Sequence, residues 1–313
     1  MNILTVTANP AIDKSTQTHT VMPWKKIRCR QPLYEPGGGG INVARALKKL
    51  GTASSAMYFA GGAPGNRMKK LLDKEGLDQQ IIETRADTRT NLIVLDDAYH
   101  QHYRFGMPGP EIQQDEAEKM LDAIDKHAAS IDYIIASGSL PGGVQDDFFA
   151  EIGRIAREKN AKFILDTSKK PLRKALEAGV FLLKPNINEL KYLMGNGKIS
   201  AARMEQFAVQ LVKENKAEIV VVSLGAKGTF WADRETSGYI MSPVIEVDSA
   251  VGAGDSMVAG IVHGLVNSEN HYEAIVYGVA AGTAATITPG TELCRKDDTD
   301  NIAGWIRQNH RPK

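Results

Sequence analysis

Apolar and polar residues follow two different periods along most of the chain. Short runs of apolar, often β-branched residues predict buried strands at 2–8, 54–62, 132–139, 162–168, 181–186 and 218–225. Apolar residues at every third or fourth position predict amphipathic helices at 41–51, 67–76, 115–128, 145–159 and 201–215, and three helical segments close the chain at about 254–267, 271–287 and 297–309. This alternation predicts an α/β fold, a three-layer α/β/α core with a mostly parallel sheet.

Two segments interrupt the alternation. Residues 14–35 and 89–106 are predicted to be extended pairs without an intervening helix. We expect both to be hairpins outside the main sheet that together form a small β-sheet lid. Because no repeat or Pro/Ser-rich linker occurs, we expect residues 1–313 to form a single domain into which the lid hairpins are inserted.

Composition and charge exclude several classes of protein. Lys and Arg number 38 against 37 Asp and Glu, and this balance gives no general signal for nucleic acid or an anionic membrane. The two cysteines, Cys29 and Cys294, lie far apart and form no C-x-x-C motif, so neither a zinc site nor a redox motif is indicated. With no secretory signal and no apolar stretch of membrane-spanning length, we expect a soluble cytoplasmic protein.

Unusual polar residues lie at or after the carboxyl ends of several predicted strands. They are Asp13, Ser137 to Ser139, Asp166, Lys184 to Asn186, and Ser223 to Gly225. Ligands of open parallel sheets bind beyond the carboxyl ends of the strands, so a site is expected there. Simple turn chemistry is the alternative explanation for each group taken alone.

A run of four glycines, Gly37 to Gly40, directly precedes a predicted helix. Without β-carbons, the backbone N–H groups there can approach a ligand at a helix N-terminus, and a flexible turn is the alternative. Asn42 and Arg45 lie one turn apart on that helix. Asn42 is a candidate ligand for a sugar hydroxyl, whereas we expect Arg45 on the solvated face. No Walker A or G-x-G-x-x-G loop occurs, which argues against a dinucleotide-binding enzyme.

The stretch "SAVGAGDSMVAG", residues 249–260, combines anion-binding geometry with a carboxylate. Glycines free the backbone to direct N–H groups into one space, and the helix dipole adds positive potential there. Phosphoryl transfer needs donors for the moving phosphoryl group and a base on the attacking hydroxyl. An aspartate that only stabilises the first helical turn is the alternative.

The motifs together resemble the PfkB/ribokinase family of sugar kinases. "GGGGINVARA", "KPNINE", "SLGAKG" and "SAVGAGDSMVAG" occur in the order of that family, and the stretches 34–46 and 278–299 extend the resemblance over essentially the whole chain. The resemblance implies a ribokinase-like core with a lid that closes on the sugar and usually supports a homodimer. It also implies that Asp255 is the catalytic base and that the amides of Gly252, Ala253 and Gly254 form an anion hole for the γ-phosphate of ATP.

The resemblance implies further site residues. Asp13, Gly38, Gly39 and Asn42 would bind sugar hydroxyls, and Glu189 would organise Mg²⁺, through water. On the nucleotide side it implies Lys184, Asn186, Ser223, Leu224, Gly225, Ala226, Lys227, Gly228 and Thr283. The carbonyls of Ser249, Val251, Ala285 and Gly290 would hold a monovalent cation such as K⁺. A sugar phosphate group needs cations and hydroxyls, and the candidates are Arg89, Arg104, Ser139, Lys26 and Arg28.

The sugar is indicated by one position of the glycine loop. Family members that act on fructose-1-phosphate or tagatose-6-phosphate usually carry a lysine where this chain has Gly39, which favours phosphorylation of fructose-6-phosphate at the C1 hydroxyl, with fructose-1,6-bisphosphate as product. The other two sugar phosphates remain alternatives. A protein of another functional class, a non-catalytic phosphosugar sensor with the same fold, is a further hypothesis.

Overall fold

The main sheet contains nine strands, and all of them except β12 run in the same direction. The structure, a computed structural model, describes residues 1–128, 130–195, 197, 200–268, 270–288, 290 and 292–310. The strands of this sheet are β1 (Ile3–Thr7), β4 (Ser55–Ala60), β5 (Asp78–Glu83), β8 (Tyr133–Ser137), β9 (Lys162–Asp166), β10 (Val180–Leu183), β11 (Ala217–Ser223), β12 (Thr229–Ala232) and β13 (Ser237–Ile240). Their order is β13-β12-β11-β10-β9-β8-β1-β4-β5, and the antiparallel pairings are those of β12 with its neighbours β11 and β13. The predicted, mostly parallel sheet is confirmed.

Helices cover both faces of this sheet, as the alternation predicts. They are α1 (Gly39–Leu50), α2 (Gly62–Lys74), α3 (Gln114–Ala128), α4 (Phe148–Glu158), α5 (Lys169–Ala178), α6 (Ile187–Leu193), α7 (Ala201–Lys213), α8 (Ala253–Asn267), α9 (His271–Thr286) and α10 (Lys296–Asn309). Helices α1, α8, α9 and α10 share one core layer, and α3, α4, α5 and α7 share the other. The sheet therefore separates two apolar cores, and this three-layer architecture confirms the predicted fold class.

The lid is a separate four-stranded sheet. It is built from β2 (Ala11–Thr18), β3 (Leu33–Gly37), β6 (Arg89–Asp96) and β7 (Gln101–Phe105), in the order β3-β2-β6-β7. The second predicted hairpin is confirmed. The first is displaced, because β2 begins at Ala11 and pairs with β3 from Ala11↔Gly37 onward, so that residues 19–32 form a long connection rather than strand.

Five elements were not predicted from the sequence: β5, β12, β13, α5 and α6. The β5 strand lies at one edge of the sheet and begins with Asp78, Gln79 and Gln80, so it lacks a long apolar run. The β12 and β13 strands are four residues each, and β13 forms the opposite edge. Edge strands face solvent on one side, and their sequences consequently carry less of the buried-strand signal.

The carboxyl ends of the parallel strands carry the polar residues noted above. Ser137 ends β8, Asp166 ends β9, and Lys184 directly follows β10. The predicted strand at 181–186 ends at Leu183, so Lys184 to Asn186 lie beyond the sheet. Both cysteines are free thiols, Cys29 exposed and Cys294 buried. Within the described ranges, no helix combines the length and the apolar character that a membrane span requires.

Candidate active site

Asp255 lies in the first turn of α8, directly above the carboxyl edge of the sheet. Gly252 caps this helix in the left-handed conformation, with φ 75°, which a residue with a side chain rarely adopts. The N–H groups of Ala253 and Gly254 have no acceptor in the described part of the chain, as expected for a helix N-terminus. A cluster of unpaired amides therefore stands beside a carboxylate, and such a cluster attracts an anion.

Two neighbouring side chains hold the Asp255 carboxylate. Asn42 donates from Nδ2 to Oδ2 at 2.9 Å, and Ser137 donates from Oγ to Oδ1 at 3.4 Å. Burial raises the pKa of Asp255 to about 7, and the nearby Asp166 carboxylate acts in the same direction. The two hydrogen bonds and the Lys184 ammonium oppose this rise. A carboxyl group with a pKa near neutrality is suited to accept a proton from a hydroxyl.

Three carboxylates surround one buried lysine at this edge of the sheet. Lys184 is 4% exposed and lies 3.2 Å from Asp166 Oδ1. Burial alone would lower the pKa of Lys184, but Asp166, Glu189 and Asp255 together raise it. Burial and then Asp166 raise the pKa of Glu189 as well. The cluster holds more negative charge than Lys184 can balance, so it favours a further cation.

Glu189 is positioned by the start of α6. Its Oε2 accepts from the Asn186 N–H at 2.8 Å, and Asn186 Oδ1 accepts from the amides of Asn188 at 2.8 Å and Glu189 at 3.0 Å, which forms a capping box. The described residues contain no group of three or more His, Cys, Asp or Glu side chains that could hold a metal by themselves. A magnesium ion that takes most of its ligands from phosphate and water is compatible with Glu189 and the surplus negative charge around it.

The glycine loop is closely packed. A β-carbon on Gly37 would lie 2.5 Å from Asp13 Oδ2, and one on Gly40 would lie 2.5 Å from the Val6 carbonyl oxygen. At Gly39 it would overlap Ser137 Oγ and lie 2.7 Å from the backbone of Ser137. The glycines are therefore required by close approach of the loop to β1, β2 and β8, and the alternative of a merely flexible turn is wrong.

Two cavities of different character meet at the start of α8. The first, of about 190 Å³, is polar and is lined by Ser137, Gly138, Ser139, Asp166, Thr167, Ser168, Glu189 and Asp255. The second is a largely apolar cleft of about 350 Å³, and the predicted nucleotide residues Ser223, Gly225, Ala226, Gly228 and Thr283 line it. Gly254 belongs to the cleft and Asp255 to the polar cavity, so adjacent residues face the two spaces. Leu224 and Lys227, also predicted, do not line the cleft.

Larger depressions of about 670 Å³ each lie at the opposite, amino edge of the sheet. Arg157, Lys162, Lys216 and Arg234 are among the cations that line them. Helices α4, α5 and α7 end at this edge, and cations there complement the negative ends of the helix dipoles. The cations that line these depressions therefore have a structural explanation and do not by themselves indicate a ligand site.

Of the residues predicted to bind sugar, those near the glycine loop are brought together. Asp13 Oδ1 accepts from Asn91 Nδ2 at 2.8 Å, and Ser139 Oγ accepts from Asn9 Nδ2 at 3.1 Å. The Arg89 guanidinium lies at the base of the lid, where it donates to the carbonyls of Asn9 at 2.9 Å, Pro10 at 3.4 Å and Met107 at 3.1 Å. Burial lowers the pKa of Arg89, while Asp13 raises it.

The remaining predicted phosphate ligands stay at the surface. Arg104 is exposed on β7 opposite Ile93, and Lys26 and Arg28 are exposed in the connection between β2 and β3. In the described ranges, no hydrogen bond or ion pair of their side chains links them to Asp13, Asn42 or Asp255. To bind the phosphate group of a sugar, these three side chains would need the lid to close or the ligand to be long.

The carbonyls predicted to hold a monovalent cation come from the loop before α8, from the last turn of α9 and from the loop after α9. Ser249 N–H donates to the Thr286 carbonyl at 3.2 Å, and Ser249 Oγ donates to the Gly290 carbonyl at 2.8 Å. The Ala285 carbonyl accepts from Thr288 Oγ1 at 2.9 Å. Each carbonyl keeps a second lone pair, so the predicted ligand set is compatible with this arrangement. Pro289 and Thr291, within the stretch 278–299, lie outside the described residues.

Sequence reasoning missed three contributions to the site. Ser137 and Asp166 follow predicted strands, but nothing in the sequence assigned them to Asp255. The apolar wall formed by Pro243, Val244 and Ile245 was also missed. Residues in that wall belong to no helix or strand, so they show no periodicity that predicts a contact.

Comparisons with known proteins agree with this geometry. The model of the "pfkB family carbohydrate kinase" matches residues 7–298. An ATP-dependent 6-phosphofructokinase isozyme 2 of Mycobacterium tuberculosis is 40% identical over 300 residues, 96% of this chain and 88% of that protein. The protein of the same description in Escherichia coli is 37% identical over 308 residues, 98% and 99% of the two chains.

More distant relatives carry two other names. At 31% identity they include a 1-phosphofructokinase of Borreliella burgdorferi, with 97% of each chain covered, and a tagatose-6-phosphate kinase of Staphylococcus epidermidis, with 96% of this chain and 97% of that protein covered. Among solved structures, phosphofructokinase-2 of Escherichia coli in complex with potassium superposes with a TM-score of 0.94 at 37% identity, over 98% and 99% of the chains. The same protein in complex with fructose-6-phosphate gives 0.92 at 36% identity, with equal coverage.

Proposed function

The chain belongs to the pfkB family of carbohydrate kinases, and from this premise we propose that it transfers the γ-phosphoryl group of ATP to the C1 hydroxyl of fructose-6-phosphate, with fructose-1,6-bisphosphate as the product. The relatives at 37–40% identity are described as ATP-dependent 6-phosphofructokinases, which supports this sugar phosphate over its isomers. Gly39 in place of a lysine is the second support. We treat residues 1–313 as a single kinase domain with the lid inserted in it.

The observation that carries the proposal is the boundary between the two cavities at the start of α8. An apolar cleft is suited to a purine ring, and a small polar cavity is suited to a sugar. Gly254 faces the first space and Asp255 the second. A phosphoryl group that passes from nucleotide to sugar would cross this boundary, beside the free amides of Ala253 and Gly254.

The proposed chemistry follows from these positions. The Asp255 carboxylate accepts the C1 hydroxyl proton while the C1 oxygen forms a bond to the γ-phosphorus. The bond between the γ-phosphorus and the oxygen that bridges to the β-phosphate breaks, and ADP leaves with that oxygen. The amides of Gly252 to Gly254 stabilise the charge on the transferred group. Bound magnesium, organised by Glu189 through water, would neutralise phosphate charge, and Lys184 and Asn186 lie on the same nucleotide side.

Sugar binding is proposed to use groups with unused hydrogen-bonding capacity. The Asn42 Oδ1 atom is buried and has no donor in the described part of the chain, so it can accept from a sugar hydroxyl. Asp13, Gly38 and Gly39 are assigned to other hydroxyls. The 6-phosphate is assigned to Arg89 and Ser139, with Arg104, Lys26 and Arg28 contributing from the lid.

Two further proposals concern ions and assembly. The carbonyls of Ser249, Val251, Ala285 and Gly290 are proposed to bind K⁺, and a potassium complex of a structural neighbour supports this. A homodimer formed through the lid is proposed because large apolar side chains are exposed there, among them Trp24 at 101% and Leu33 at 69%. The similar protein from Escherichia coli is described in a tetrameric inhibited form, so assembly has to be measured directly.

The proposed substrate is tested by initial rates with ATP and Mg²⁺ on fructose-6-phosphate, fructose-1-phosphate and tagatose-6-phosphate. We expect kcat/KM to be highest for fructose-6-phosphate, by about tenfold or more, as a site that hydrogen-bonds specific hydroxyls discriminates against isomers. A preference for either other sugar phosphate would keep the phosphoryl transfer and replace the substrate.

The matched control is Asp255→Asn, which keeps size and shape but cannot accept the proton. We expect it to bind the sugar phosphate while kcat falls about 100-fold or more. Binding of sugar phosphate by wild type with no turnover of any of the three would instead favour the non-catalytic sensor.

A further inference from the structure

A leucine with unusual backbone geometry lies directly behind the anion hole. Leu293, in the connection between α9 and α10, has φ 68° and is 0% exposed. The left-handed region is strongly disfavoured for a bulky side chain, and a glycine or asparagine would adopt it at lower cost. Residues in such conformations concentrate at functional sites, where the surroundings hold them in place.

The side chain of Leu293 packs against the cap of α8. A β-carbon on Gly252 would overlap Leu293 Cδ2, so the leucine methyl group fills the space beside the Gly252 α-carbon. Gly252 itself is left-handed, and Ala253 and Gly254 follow it with free N–H groups. Leu293 therefore contacts the residue whose conformation sets the direction of these amides.

Hydrogen bonds fix the backbone of Leu293 on both sides. Its carbonyl accepts from Thr288 Oγ1 at 3.1 Å, and the next N–H, that of Cys294, donates to Ser256 Oγ at 3.2 Å. Ser256 lies in the first turns of α8 and is fully buried. The leucine is thus held by its side chain, its carbonyl and the following amide, and two of these three contacts are made to α8 itself.

The same connection is fastened to two other parts of the site. Ser249, just before the anion hole, donates to the Gly290 carbonyl at 2.8 Å, and Lys49 of α1 donates to the Glu292 carbonyl. Helix α1 also carries Asn42, which holds Asp255. The connection therefore contacts the loop before α8, the cap of α8 and helix α1.

We infer that Leu293 is a positioning residue for phosphoryl transfer, whose methyl group holds the Gly252 backbone in its left-handed conformation so that the amides of Ala253 and Gly254 face the transferred group. This inference rests on the proposed role of those amides. Packing from behind keeps donors oriented before the reaction, and preorganised donors stabilise charge more than mobile ones do. Leu293 lines neither the polar cavity nor the apolar cleft.

The test compares Leu293→Ala and Leu293→Gly with wild type and with Leu72→Ala. The Leu293→Gly substitution removes the side chain and also relieves the strain of the left-handed backbone. This variant is therefore expected to fold even if Leu293→Ala does not. Leu72 of α2 is equally buried, at 0% exposure, but packs in the core layer around Ile12, Ile41 and Tyr58. Rates are measured with whichever sugar phosphate the wild type phosphorylates fastest, so an error in the substrate does not affect the comparison.

We expect kcat of both Leu293 variants to fall about 10- to 100-fold while KM for the sugar phosphate changes less than about threefold, because oriented amides act in the transition state. Leu72→Ala should keep kcat near wild type once folded. Hydrogen exchange provides a readout independent of turnover: the Ser256 amide, which donates to the Gly252 carbonyl at 2.8 Å, should exchange faster in the Leu293 variants only.

Several results would overturn the inference. They are a Leu293→Gly enzyme with wild-type kcat, an equal loss of kcat in Leu72→Ala, or unchanged exchange at Ser256 in Leu293→Gly. If wild type turned over no sugar phosphate, the proposed function would fail, and the exchange comparison would still decide whether Leu293 holds the α8 cap.

Discussion

Asp255 shows how a single residue acquires its chemistry from its neighbours. An aspartate in the first turn of a helix is usually an ionised, solvated stabiliser. Here burial and the Asp166 carboxylate raise its pKa to about 7, although Asn42, Ser137 and Lys184 each favour the ionised form. The balance of these effects gives a carboxyl group that titrates close to neutral pH, as the proposed role of a base requires.

This pKa predicts the pH dependence of the reaction. Because the base works only when ionised and its pKa is raised, kcat/KM should be constant above about pH 8 and should fall roughly tenfold per pH unit below about pH 7. The measurement is kcat/KM for the sugar phosphate from about pH 5 to about pH 9 at constant ionic strength.

Asp166→Asn is the control that separates Asp255 from the titration of the substrate. Removing the Asp166 charge lowers the pKa of Asp255, so the acid limb should move to lower pH, whereas the pKa of a sugar phosphate would not change. An acid limb at the same pH in both enzymes would show that another group is being observed.

At the scale of elements, helix α1 contacts the lid through Arg45, and the burial of this residue was predicted wrongly. Arg45 was expected on the solvated face, but it is 6% exposed. Its Nε lies 2.9 Å from a carboxylate oxygen of Glu75, just after α2, and its Nη1 donates to the Pro36 carbonyl of β3 at 3.1 Å. Helical spacing puts Arg45 on the face of Asn42, and the lid strand covers that face in the folded protein.

Arg45→Ala is expected to lower the free energy of unfolding by about 2–3 kcal/mol. Truncating one partner of a fully buried pair costs about 3–5 kcal/mol, and Glu75 is one-third exposed, which reduces the effect. Urea unfolding at one fixed protein concentration measures it. The matched control is Arg154→Ala, which removes an exposed pair with Glu151 and should cost less than about 0.5 kcal/mol. Equal losses in both variants would contradict a special role for Arg45.

At the scale of the whole molecule, the lid differs from the core in exposing several large apolar side chains. Met22, Trp24, Leu33, Tyr99, Phe105 and Met107 are all at least 42% exposed, and all belong to the lid or its connections. An apolar surface of this kind on one inserted element indicates an interface. It is the physical basis of the proposed homodimer.

Trp24→Asp should weaken the proposed dimer at least about tenfold, because a large aromatic residue at an interface often contributes most of its affinity. Sedimentation velocity over a range of concentrations gives the dissociation constant. Trp305→Asp, on α10 and 41% exposed, is the control away from the lid and should leave assembly unchanged. A wild type that stays monomeric at all concentrations, or a Trp305 effect equal to that of Trp24, would reject the lid interface.

The sequence by itself determined the layers of the fold and the parts of the site that local pattern encodes. Buried strands and amphipathic helices carry their period in the chain, so the central sheet, its two helical faces and the second lid hairpin could be predicted, whereas the first hairpin was placed wrongly. The glycines before α8, Asp255 and Glu189 lie in short motifs, so the sequence could single them out as candidates, and their roles stay predictions. The edge strand β13 could not, because only one of its four residues is buried, and β12, although buried, is too short to show a period.

The tertiary structure decided what depends on residues distant in the chain. The pKa of Asp255 is set first by burial and then by Asp166, Asn42 and Ser137, which are 89 to 213 positions away in sequence. Burial of Arg45 depends on β3 and Glu75, and the left-handed Leu293 depends on its contacts with α8. A sequence motif supplies the chemical groups of a site, but burial, electrostatic fields and strain arise only when separate elements pack together.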